Sequence, residues 1–97
     1  MREIYLIFED DYEDCDVICV PDFIADNAPR YGQLFCDWLA NTTDESYFVD
    51  ISGKKYLSCE TEGFIRWLNN FYCNINEKAY IVKQHTSYLS GYTKIEF

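Results

Sequence analysis

Six carboxylates fall within the eight residues of the stretch EDDYEDCD, namely Glu9, Asp10, Asp11, Glu13, Asp14 and Asp16, with only Tyr12 and Cys15 between them. Oxygen ligands at this density suit a hard cation such as calcium. The spacing does not. With Asp10 at the first position of an EF-hand loop, the third position is Tyr12, the sixth is Cys15 where the turn needs Gly, and the twelfth is Pro21 where a bidentate Glu belongs. No metal site is expected on this pattern, and no cofactor is implied.

Acid-base or nucleophilic chemistry requires a tuned group held in a pocket. The single histidine, His85, lies in a strand-like run and shares no local motif with Cys15, Cys19, Cys36, Cys59 or Cys73. A small enzyme pairing His85 with Cys59 or Cys73 is the catalytic alternative. Phosphate-binding, dinucleotide-binding, nucleophile-elbow and zincin motifs are all missing from the sequence. The expectation is a protein that is not an enzyme. Five cysteines without a C-x-x-C pair point to reduced, mostly buried thiols rather than a disulfide framework or a zinc site.

Binding asks less of the same residues. Like charges on one loop speed the encounter with a partner of opposite sign, and a nearby aromatic can hold it. Tyr12 inside the run, and Tyr47 beyond Asp44 and Glu45, are of the type that anchors interfaces. Residues 1–50 carry thirteen acids against two bases, whereas residues 51–97 carry four acids against six, so the net charge of −9 belongs to the first half. Such a balance disfavours direct contact with nucleic acid or an anionic membrane. It also repels itself, and a partner or the second half of the chain should offset it. A solvated acidic loop that merely aids solubility is the plain alternative.

These side chains need a frame, and 97 residues suit one domain, 1–97. EIYLIF at 3–8 and CDVICV at 15–20 read as strands of a hairpin whose loop is Glu9 to Asp14. DFIAD suggests a helical turn burying Phe23 and Ile24. In residues 27–41, Asn27 is a capping candidate and Tyr31, Leu34, Phe35, Trp38 and Leu39 recur at helical spacing, although Gly32 weakens the helix. Two strands about Ser52-Gly53 follow, then a helix with Thr61 as its cap and Phe64, Ile65, Leu68, Phe71 and Tyr72 on one side. Trp67 lies off that stripe beside Arg66, and packing is its expected role. Two last strands join through Leu89-Ser90-Gly91. Phe35 to Asn41 echoes Phe64 to Asn70, a similarity that two helices packing on one sheet explain without duplication. The predicted fold is α+β, order ββ-α-ββ-α-ββ, with a largely antiparallel sheet of about six strands and two helices.

In size, aromatic content, unpaired cysteines and acid clusters such as EDDYEDCD and TTDES, the chain resembles the small acidic immunity proteins of bacterial toxin and immunity pairs, especially those of contact-dependent growth inhibition. The resemblance implies a one-to-one complex with a cognate basic toxin domain, commonly a nuclease, whose active site or substrate surface is covered. Glu9, Asp10, Asp11, Tyr12, Glu13, Asp14, Asp16, Asp44, Glu45 and Tyr47 are the candidate contacts. A phage-type nucleic-acid mimic or anti-defence inhibitor is the alternative and would share the acidity. The start MREIYLIFEDD has too short an apolar core for a signal peptide, and no apolar run is long enough to span a membrane, so the expected location is cytoplasmic.

Overall fold

Ile4 to Ile7 are all buried, which a strand tolerates only when both of its faces are covered. In the computed structural model, which describes residues 1–58 and 60–97, helices cover one face and an irregular segment covers the other. The elements are β1 (Arg2–Ile7), β2 (Cys15–Val20), α1 (Asp22–Ala25), α2 (Ala28–Asn41), a 3-10 turn (Glu45–Tyr47), β3 (Phe48–Ile51), β4 (Lys54–Leu57), α3 (Glu60–Phe71), β5 (Tyr80–Thr86) and β6 (Lys94–Glu96).

The fold is α+β, as the patterning predicts, but the strands do not form one sheet of six. Four make a sheet of order β5-β2-β1-β6, and β3 with β4 stands apart as a hairpin. A third helix, α1, joins the expected two. The last two strands are not neighbours either: β6 runs parallel to β1, at the edge opposite β5. Residues 87–93 therefore connect one edge to the other, and Tyr88 and Tyr92 pack edge-on against the Tyr5 ring. Burial of that second apolar face explains why a tight hairpin at Leu89 to Gly91 loses to a crossover.

The helical face carries the main core, in which Ile4, Leu6, Ile18, Val20 and Ile95 of the sheet meet Ile24, Phe35, Phe64, Trp67 and Leu68. The echoed residues touch one another: the Phe35 ring lies 5.3 Å from Phe64 and 5.2 Å from Trp67. Trp67 is buried, as expected of a packing residue, whereas Phe23 at 44%, Phe71 at 58% and Tyr72 at 39% are more exposed than their spacing suggests. Phe71 and Tyr72 sit at and just beyond the end of α3, where each packs on Trp67 and on a ring of α2, Trp38 for Phe71 and Tyr31 for Tyr72, and leaves the rest of its surface to solvent. Gly32 proves to be a packing requirement, since a Cβ there would lie 2.4 Å from Cγ2 of Ile95. Asn27 precedes α2 without a capping bond, its amide donating instead to the Phe23 carbonyl. Thr61 lies inside the first turn of α3 rather than capping it.

Candidate functional site

The acidic loop is an ordered structure built by its own side chains. Its tightest part is the turn Phe8 to Asp11, closed by the Asp11 amide donating to the Phe8 carbonyl at 3.1 Å. Glu9 and Asp10 occupy the two central positions with φ of 55° and 56°. Positive φ at both centres is what a type I′ hairpin turn requires, and Asn-Gly is the sequence that meets it most cheaply. For a residue such as Glu the left-handed region costs about 1–2 kcal/mol, and for Asp, whose short polar side chain tolerates it, less.

Beyond the turn, three of the six carboxylates are tied into the framework. Asp11 accepts from the Glu13 amide at 3.1 Å. Asp14 lies 2.8 Å from Nδ1 of His85. Asp16 accepts from the Thr61 hydroxyl with one oxygen and from the His85 amide, at 3.2 Å, with the other. The β2–β5 register is irregular between Cys15 and Ile18, and His85 has a φ of 56°, so β5 bulges where its amide meets Asp16. Tyr12 is fixed too: its carbonyl accepts from the Tyr88 amide at 2.8 Å, its ring packs edge-on to Tyr88, and the Lys94 ammonium lies 5.3 Å over it. At 38% exposure the ring is still open to a partner.

Glu9, Asp10 and Glu13 differ from these. All three are exposed, and among the described residues none has its carboxylate in an ion pair or a hydrogen bond. Glu9, Asp11, Asp14 and Asp16 join Phe8, Glu60 and His85 around a cleft of about 290 Å³. The Glu60 carboxyl is held above its usual range, first by partial loss of water and then by the charges of Glu9 and Asp16. The Asp14 hydrogen bond and charge raise the His85 pKa, and the Asp16 charge adds to them.

The second cluster is arranged otherwise. Lys55 binds Glu45 at 2.6 Å and Arg66 approaches Asp44 at 3.8 Å, so cations from the second half of the chain offset these acids. Ser46, through its hydroxyl and then its amide, and next the Arg66 charge, hold the Asp44 carboxyl below the usual carboxylate range. Tyr47 is 2% exposed, with its ring 4.8 Å from Trp38 and the Arg66 guanidinium 4.3 Å above it. It is a core ring rather than the exposed anchor expected from its neighbours, because the 3-10 turn rotates it inward.

Cys15 and Cys19 are buried, Cys73 is half-buried and Cys36 is exposed, while Cys59 and its suggested pairing with His85 lie outside the described residues. Burial pushes the Cys15, Cys36 and Cys73 thiols up, away from the reactive thiolate. Among the described residues no helix is long and apolar enough to cross a membrane, and no group of three or more His, Cys, Asp or Glu is arranged to hold a metal ion.

No protein-family model, curated protein or solved structure matches the chain.

Sequence reasoning found the loop and its charge but missed His85, Thr61 and Tyr88 as its supports. Only the acidity of the run hinted that it needed them.

Proposed function

We propose that the chain is an immunity-type protein that binds a cognate basic toxin domain, of the nuclease kind, and covers its active or substrate surface in a one-to-one complex. The observation that carries this reading is the turn at Glu9 and Asp10. A tight turn that Asn-Gly would close at lower cost is made instead from two acids in left-handed conformation. Stability is given up where charge is displayed, which is the pattern expected of a binding element.

The rest of the loop supports it. Asp11, Asp14 and Asp16 hold the backbone, leaving Glu9, Asp10 and Glu13 free for the cations that a nuclease presents to phosphate. A loop already ordered by these bonds loses little further conformational entropy on binding. The notion that the second half of the chain offsets the first holds for Asp44 and Glu45 but stops short of these three.

Co-expression with a toxin encoded beside the gene, followed by co-purification and a growth-protection assay, tests the proposal. A stable complex and protected cells are expected. Absence of binding would overturn it, and competition with DNA for a host nucleic-acid-binding machine would transfer the role to a nucleic-acid mimic.

A further inference from the structure

Tyr12 in the acidic loop is the first ring of an aromatic row along the non-helical face of the sheet. Its ring lies 5.9 Å from Tyr88, Tyr88 lies 5.0 Å from Tyr5, and Tyr5 lies 5.7 Å from Tyr92. The row ends at a cleft of about 460 Å³, between Met1, Arg2, Glu3 and Cys19 on one side and Gly91, Tyr92 and Thr93 on the other. Residues 91–93 of the crossover form one wall of this cleft without closing over it, so Tyr92 at 53%, Met1 at 43% and the neighbouring Tyr80 at 54% remain exposed. Tyr80 stands across from Cys19 on β5.

One charge in this corner has no counterpart. Arg2 is engaged by Asp22 and Asp26, and the terminal ammonium by Asp22, whereas among the described residues the Glu3 carboxylate is paired with no cation. A cleft walled by Met1, Cys19 and the Tyr92 ring, with the unpaired Glu3 carboxylate on its rim, suits a particular kind of occupant. The non-polar or aromatic side chain fills the space, and an adjacent Lys or Arg meets the acid.

We infer that this cleft is a second contact site for a basic protein, seating an exposed segment in which an aromatic side chain is flanked by Lys or Arg. The inference rests on the reading above only in taking the partner to be basic. The aromatic row places both sites on one face, so the loop sets the rate of encounter while the cleft, where water is displaced from apolar surface, sets how long the complex lasts.

The test needs no toxin. Amide NMR spectra of the full chain are recorded during titration with a blocked pentapeptide, Ala-Lys-Trp-Arg-Ala, and with its acidic counterpart, Ala-Glu-Trp-Glu-Ala. The basic peptide is expected to move the Glu3, Cys19, Gly91, Tyr92 and Thr93 amides, with affinity in the millimolar range and lowered at least fivefold by E3K. Since E3K alters an exposed side chain, its unchanged far-ultraviolet circular dichroism is checked alongside, and E3Q should lower affinity by a smaller factor if the variant with Lys misfolds. Equal binding of the acidic peptide, perturbation confined to residues 9–16, or loss of the cleft signals on dilution because a second copy fills it would each overturn the inference. Any of these would leave the proposed role of the acidic loop standing, because that role is tested by association with the toxin.

Discussion

The carboxylate of Asp14 lies 2.8 Å from Nδ1 of His85, 71 residues further along the chain. The acidic loop is thereby fastened to the bulged end of β5, and the fastening depends on pH. The hydrogen bond to Asp14, its charge, and the charge of Asp16 all raise the His85 pKa above its ordinary value. A group with a raised pKa in the folded state contributes stability that is complete below its unfolded value of about 6.5 and is lost as pH rises through the folded value. The wild type should therefore lose melting temperature relative to H85Q between pH 6 and pH 8. Parallel melting curves for the two proteins across that range would show that the contact adds nothing.

Asp16 bridges two elements, taking the Thr61 hydroxyl from α3 and the His85 amide from β5. Removal of a charged acceptor from two donors costs about 1–3 kcal/mol. D16A is expected to show that loss in urea unfolding. E13A, which removes an exposed and unpaired carboxylate, should stay within about 0.5 kcal/mol of wild type. Equal losses would mean that the loop has no division between structural and free acids.

The left-handed conformations of Glu9 and Asp10 give a prediction of the opposite sign. The double variant E9N/D10G places Asn-Gly in the turn and should raise stability by about 1–2 kcal/mol. The same variant removes two of the three free charges, so it should associate with a basic partner more slowly while being the more stable protein. A destabilised double variant would show that the turn carries no strain.

Gly32 separates propensity from packing. Ala in a helix interior is favoured over Gly by about 1 kcal/mol. Here its Cβ would overlap Cγ2 of Ile95, and overpacking of a filled core costs about 1–3 kcal/mol. G32A is expected to be the less stable protein, and to cost less in an I95A background, where Cγ2 is absent, than in the wild type. A gain in stability for G32A alone would show that β6 yields easily.

The strands and both long helices were legible because their apolar periodicity is local. Three things were not. The sheet divided because Val49, Ile51 and Tyr56 of β3 and β4 look like core residues but lie 41%, 55% and 49% exposed on a hairpin that pairs with no strand of the larger sheet. The crossover of residues 87–93 was hidden because only contact with Tyr5 distinguishes it from a turn. Within the site, residue type located the acids and Tyr12, but which carboxylates are structural depends on Thr61 and His85, 45 and 69 residues distant from Asp16. Tyr47 was misplaced for a related reason: its acidic neighbours suggested surface, and the Trp38 and Arg66 side chains that enclose it come from other elements.

The central claim is that Glu9, Asp10 and Glu13 form a free acidic surface for a basic toxin domain, and stopped-flow association with that domain tests it most directly. Reversing the three to Lys should slow association at least tenfold at low ionic strength, and the difference should shrink as added salt screens the charges. An association rate unchanged by the reversal at every salt concentration would contradict the claim and remove the loop from the interface.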